Sequence, residues 1–240
     1  MNVPSLPNFV YVLADDMGYG DLSCLNPDSR IRTTHLDALA RDGMRFTDAH
    51  ASSAVCTPSR YSILTGRYNW RSQLKSGVTW GDSGPVIEAG RMTVASLLRS
   101  HGYTTACIGK WHLGWDWSRR KDGTIDYAGP IRQGPTACGF DRFFGLAASL
   151  DMPPYVWVEN DRVTAPPDHV VPASEGLEFW RQGPAGPDFC HSGVLPRLIQ
   201  EGEDFIRSSV GARKPFFLYL PLTAPHTPIL PSARFRGRSG

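Results

Sequence analysis

Phe9-Val10-Tyr11-Val12-Leu13-Ala14-Asp15-Asp16 is the stretch on which the reading of the fold turns. Six apolar residues, β-branched and aromatic among them, run without a polar break, as in a buried strand of a parallel sheet. Two carboxylates then stand at its C-terminal end, before Gly18 and Gly20 interrupt the pattern. The same design recurs downstream. YTTACI (103–108) reads as a strand that delivers GKWHLG, and PFFLYLPL (215–222) as a strong buried strand ending in APHTP. Between them lie helical patterns. Leu36, Leu39 and Ala40 share a face over residues 34–42, with Gly43 as a stop. A helix is expected just after Cys56, because Pro58 suits a first turn, and Gly66 ends it. Further helices are expected over 93–100, capped by Gly102, and over 194–209. Residues 46–50 suggest a second short strand, and 115–190, rich in Gly, Pro, Trp and Asp, suggest loops and short strands shaping a pocket. Strand and helix alternate four times, which implies an α/β sheet layered with helices. No internal repeat, linker or low-complexity tract is visible.

Composition narrows the function. The chain has 240 residues, a net charge of +2, 41% hydrophobic, 11% aromatic and 20% charged residues, which suits one or two folded domains rather than a disordered chain. No stretch reaches the roughly 20 apolar residues of a membrane helix. A near-neutral chain with interspersed charges gives no support to nucleic-acid binding. Lys75, Lys110, Lys121 and Lys214 are the only lysines, so one at a strand end is less expected to be generic surface. Cys24, Cys56, Cys107, Cys138 and Cys190 form no CxxC pair and fit neither a dense disulfide framework nor a zinc knuckle. The start, MNVPSLPNFVYVLADD, has no signal-peptide pattern, which implies a cytoplasmic protein or, if a signal has been removed, a periplasmic or secreted one.

Unusual polar residues gather at four strand ends: Asp15 with Asp16, the segment from Cys56 to Arg60, Lys110 with His112, and His226. Ligands of open α/β sheets sit outside the carboxyl ends of the strands. Adjacent carboxylates suit a hard cation or simply a polar turn. Lys110 and His112, two apart on an extended segment, point to one side and suit an anionic substrate that needs a proton moved, or form a solvated strand end. His226, between two prolines, is a positioned acid or base, or structural. Cys56 sits where a helix N-terminus favours an anion, with Arg60 one turn on. The alternatives are a buried free thiol and a plain thiolate nucleophile.

Together these segments resemble a family. CTPSR (56–60) followed by YSILTGR (61–67) resembles the signature of type I sulfatases, in which the cysteine is oxidised to formylglycine. LADDMGYGDL (13–22), GKWHLG (109–114) and APHTP (224–228) resemble that family's opening metal segment, second signature and histidine motif, in the family's order. LDMPPYVWVEND (150–161) resembles bacterial carbohydrate sulfatases of the arylsulfatase A and N-acetylgalactosamine-6-sulfatase type. The resemblance implies an alkaline-phosphatase-like mixed sheet sandwiched by helices, of which residues 1–240 are the N-terminal portion, with the C-terminal strands, subdomain and further Asp-Asn and Lys ligands absent.

By position it implies Ca²⁺, more than Mg²⁺, on Asp15, Asp16 and Cys56, with Cys56 as the formylglycine (3-oxoalanine). Its hydrate would attack sulfur, and the second hydroxyl would let sulfate leave by collapse to the aldehyde. Arg60 would steady that group, Lys110 would hold the sulfate oxygens, His112 would take the proton, and His226 would bind or protonate the leaving oxygen. A sulfated carbohydrate or aryl sulfate would be the substrate and a formylglycine-generating maturase a partner, with no nucleic acid or membrane involved. A formylglycine-dependent phosphonate or phosphodiester hydrolase and an inactive truncated fragment are the alternatives. Trp111, Trp115, Trp117, Tyr155 and Trp157 either stack on sugar rings or pack the protein.

Overall fold

The computed structural model describes residues 6–239. From the N-terminus come β1 (Phe9–Asp15), α1 (Thr34–Asp42), α2 (Cys56–Thr65) and α3 (Val94–Ser100). β2 (Thr104–Lys110), β3 (Arg142–Leu146), β4 (Val158–Glu159) and β5 (Arg162–Val163) follow. β6 (His169–Val171) and β7 (Gly183–Ala185) form a small separate hairpin-like sheet, and α4 (Val194–Gly211) and β8 (Phe216–Pro225) complete the order. The main sheet has the order β1-β8-β2-β3-β4-β5. Its first four strands are parallel, and β4 and β5 extend it antiparallel.

Alternation along the strands supplies a core on each side. Cys107, Phe143, Phe217 and Tyr219 face Tyr61 and Leu64 of α2 and Ala95 of α3. Ala106, Ile108, Phe144, Leu218 and Leu220 face Val194, Leu198 and Phe205 of α4. With the buried Gly202 and Ser209, those α4 residues recur every three or four positions and make one buried stripe. The helix ends follow the sequence signals. Thr93 caps α3, accepting from the Ser96 amide at 3.0 Å. Gly66 closes α2 in a left-handed conformation, φ +67°, donating to Ser62 at 2.9 Å.

Two expectations fail. Residues 46–50 form no strand and are exposed, because no neighbouring strand pairs with their backbone. β1 is a strand but not a buried one: Phe9, Val10, Tyr11 and Val12 are 43–55% exposed. It lies at the sheet edge, paired only with β8 among the described residues. Its continuous apolar run encodes two covered faces, and here the strand is only partly covered, by contacts such as Phe9 on Tyr103 and Tyr11 on Tyr219. β2 runs two residues further than expected, so Lys110 ends the strand itself, and β8 runs to Pro225, so His226 leaves it directly. Gly109 permits this ending. At φ +142°, any Cβ there would collide with the Pro221 carbonyl of β8. No helix among the described residues is long and apolar enough to cross a membrane.

Candidate functional site

Asp15, at the end of β1, is the hub. Its carboxylate is 4% exposed and accepts from Lys110 Nζ at 2.6 Å. Arg60 Nη2 lies 3.3 Å from its other oxygen. β8 separates β1 from β2, so the lysine spans about two strand spacings of roughly 4.8 Å to reach it. Arg60, 1% exposed on α2, also donates to the Lys110 carbonyl at 2.6 Å. One buried carboxylate thus faces two buried cations, and the cluster carries a net +1.

Cys56 opens α2 beside this cluster. Its Sγ lies 3.2 Å from Lys110 Nζ and 3.7 Å from Asp15 Oδ1, on the wall of a cavity of about 490 Å³ that Asp16 and Arg60 also line. Burial pushes the thiol above its ordinary pKa, more than Lys110 pulls it down. A thiolate nucleophile is therefore disfavoured at neutral pH. What the location offers is a small, partly exposed group at a helix start next to a cation.

The chain leaves the extended path between Lys110 and His112. His112 adopts φ +54°, and its amide bonds the Ala147 carbonyl. The ring, 1% exposed, lies 2.7 Å through Nε2 from the Thr79 carbonyl. A carbonyl only accepts, so Nε2 carries the proton and Nδ1, buried without a partner among the described residues, is an acceptor. Burial first, then Lys110 and Arg60, hold this imidazole neutral well below the usual histidine range. His226, following β8, has its amide on the Asp15 carbonyl at 2.9 Å. Its Nδ1 donates to the Thr227 carbonyl at 2.6 Å, and its Nε2 faces Asp16 Oδ2 at 3.7 Å.

Ser149 had no signal in the sequence. Its hydroxyl lies 3.2 Å from Lys110 Nζ and 3.4 Å from His226 Nδ1, linking two groups that sequence alone left apart. The β2–β3 register ending at Lys110 and Leu146 carries the following loop to this point.

The donors fit a hard cation in type but not in arrangement. Ca²⁺ takes 6–8 oxygen ligands, whereas Asp15 is occupied by Lys110 and Arg60, and the Asp16 side chain is 59% exposed. No three His, Cys, Asp or Glu side chains converge among the described residues. As arranged, these side chains alone do not form a calcium cage. The aromatics singled out for sugar stacking are core: Trp111, Trp115, Trp117, Tyr155 and Trp157 are 1–6% exposed.

Comparison with known proteins identifies the family. The family described as Sulfatase matches residues 7–239. N-acetylgalactosamine-6-O-sulfatase of Bacteroides thetaiotaomicron is 35% identical, over 98% of this chain and 51% of its own. Human arylsulfatase A is 34% identical, over 98% of this chain and 44% of its own. A solved Bacteroides thetaiotaomicron sulfatase, from work on the metabolism of multiple glycosaminoglycans, superposes with a TM-score of 0.83 at 32% identity. That match covers 98% of this chain and 55% of the other. The architecture is accordingly that of the alkaline-phosphatase-like sulfatases, and the chain spans about half the length of the curated relatives it matches.

Proposed function

This chain belongs to the sulfatase family, and from that premise we propose that it is the N-terminal, site-bearing portion of the catalytic domain of a sulfuric ester hydrolase acting on a sulfated carbohydrate. The observation that carries the reading is the pair of buried cations beside Cys56, with Lys110 Nζ 3.2 Å from its Sγ and Arg60 on the same cavity wall. Lys110 is placed to meet the negative charge of a sulfate ester there.

Lys110 Nζ and the Ser149 hydroxyl, 3.2 Å apart, are placed to hold sulfate oxygens and offset the charge that develops on them. Arg60 positions rather than reacts, because it is spent on Asp15 and on the end of β2. Formylglycine made from Cys56 by a maturase supplies, as its hydrate, one hydroxyl to attack sulfur and a second that lets the product be expelled. His112, neutral and with Nδ1 unprotonated, suits a proton acceptor. His226, whose Nε2 faces Asp16, is placed to bind the leaving-alcohol oxygen. The carbohydrate assignment follows the bacterial N-acetylgalactosamine-6-O-sulfatase. Asp15 and Asp16 would contribute only two members of any divalent-cation shell.

The test is co-expression with a maturase. Peptide mass spectrometry should show Cys56 losing sulfur and two hydrogens and gaining one oxygen. The matured protein should release sulfate from N-acetylgalactosamine 6-sulfate, and Cys56→Ala should not. An unconverted thiol, or equal release by the variant, refutes the proposal.

A further inference from the structure

Trp80 is 46% exposed, although tryptophan is costly to leave in water, and its turn is rigid. Ser83 Oγ accepts from the Trp80 amide at 2.7 Å, and Trp117 Nε1 donates to the Gly81 carbonyl at 2.8 Å. Gly81 packs so closely on Pro153 that no Cβ fits there, and Gly183 packs equally closely on the same proline. Three loops, around residues 80, 153 and 182, are thereby locked against one another.

From the third loop, the Arg181 guanidinium lies 5.0 Å over the Trp80 ring. Its Nη1 pairs with Asp151, a carboxylate 4% exposed. Nε and Nη2 have no protein partner among the described residues, and the side chain is 39% exposed. Beside Trp80 opens a cavity of about 450 Å³ lined also by Asp82, Tyr127, Pro153 and Pro154. An aromatic wall with a few polar groups is the usual make-up of a small-molecule site.

The platform is continuous with the reactive centre. Thr79, adjacent to Trp80, gives its carbonyl to His112 and meets Thr57, the neighbour of Cys56, at 3.3 Å through the hydroxyls. Asp151 lies two residues from Ser149, which touches Lys110. At 3.8 Å per Cα step, Trp80 stands within about 15 Å of Cys56.

We infer that Trp80 and Arg181 form the subsite that grips the sugar of the substrate: a pyranose packs against the exposed part of Trp80 and accepts hydrogen bonds from Arg181, while the sulfate ester goes to Lys110. Asp82 and Asp151 are balanced by Arg181 and by Arg119, whose Nη2 donates to the Asp82 carbonyl at 3.2 Å, so packing and hydrogen bonds rather than net charge set the affinity. The inference rests on the proposal that the centre takes a sulfate ester. Asp151 acts as a positioning residue that holds the guanidinium.

The experiment measures binding to the 240-residue protein by ligand-observed NMR, with methyl N-acetylgalactosaminide 6-sulfate, methyl glucuronide 2-sulfate and inorganic sulfate as probes. Trp80→Ala and Arg181→Ala should each weaken the aminosugar sulfate about fivefold or more and leave inorganic sulfate unchanged. Trp80→Phe should restore most of the loss. The uronate sulfate should show the same dependence on Trp80 and Arg181. Unchanged aminosugar affinity in both alanine variants overturns the subsite, as does an equal loss for inorganic sulfate. Lys110→Met separates the two ideas, since it should weaken every sulfated probe. If sulfate binding ignores Lys110 while the sugar still depends on Trp80, the centre is misread and the subsite survives. Failure of the wild-type protein to bind any probe overturns both.

Discussion

Removing the charge of Asp15 should cost far more than removing that of Lys110, although the two form one ion pair at 2.6 Å. In the wild type, one anion faces Arg60 and Lys110, all three side chains 0–5% exposed. Asp15→Asn leaves two buried cations without an anion, a net +2. Lys110→Met leaves Asp15 paired with Arg60 at 3.3 Å, a net of zero, with a side chain of similar length in the lysine's place. Breaking a buried pair by deleting one partner costs about 3–5 kcal/mol when the survivor is stranded. Asp15→Asn belongs in that range. Lys110→Met should cost about 1–2 kcal/mol, the worth of a charged hydrogen bond whose acceptor keeps another partner. Against a total stability of about 5–15 kcal/mol, the first variant is close to unfolding and the second is not. Urea titrations followed by tryptophan fluorescence and circular dichroism, extrapolated linearly to water, give both numbers. If Lys110→Met proves as destabilising as Asp15→Asn, the charge arithmetic at the centre of this site is wrong.

Alkylation by iodoacetamide at pH 7.5, read by peptide mass spectrometry, should modify Cys190 first. Its thiol is exposed and its pKa lowered by Ser192, whereas burial raises Cys56 and pushes Cys138 up to about 12. A Cys56 faster than Cys190 contradicts the electrostatics above. Acidification should destabilise the fold. His112 and His191 titrate below their ordinary 6.5 in the folded state, His191 at about 4. The unfolded chain therefore binds more protons as pH falls from 6.5, and stability present above that pH is lost at up to about 1.4 kcal/mol per unit for each ring. His112→Gln should flatten this slope, and an unchanged slope rules the ring out as a source. Millimolar Ca²⁺ should leave the thermal midpoint unmoved, because Asp15 is already neutralised. A rise of several degrees shows that the carboxylates can be released from Lys110 and Arg60.

Local signals were legible where short-range chemistry decides the outcome. Pro58 and Gly66 bracket α2, Gly102 follows the end of α3, and the apolar runs of β2 and β8 place Lys110 and His226 at strand ends. What the chain encodes only through distant contacts was not legible. The run of β1 predicts burial, but burial depends on what covers the strand, and its edge position comes from pairing with β8 alone. The turn at His112 hides within a motif that looks extended, since a positive φ leaves no mark at a non-glycine residue. Ser149 lacks any local signature and becomes visible only through its bonds to Lys110 and His226. Tryptophans near the motifs drew attention as sugar platforms and proved to be core, while the exposed Trp80 lay in a segment with no periodicity to single it out.

The place of β8 between β1 and β2 has a consequence in time. Asn8, just before β1, bonds the first residue of β8 across 208 positions of sequence. At synthesis rates of 5–20 residues per second, the first strand waits about 10–40 s for the neighbour that joins it to the rest of the sheet. Asp15 and Lys110 are brought together by the sheet only then, because β1 and β2 are joined in it solely through β8 among the described residues. The topology therefore fixes an order: the charged cluster beside Cys56 is completed only after a strand made later than both of the strands it joins.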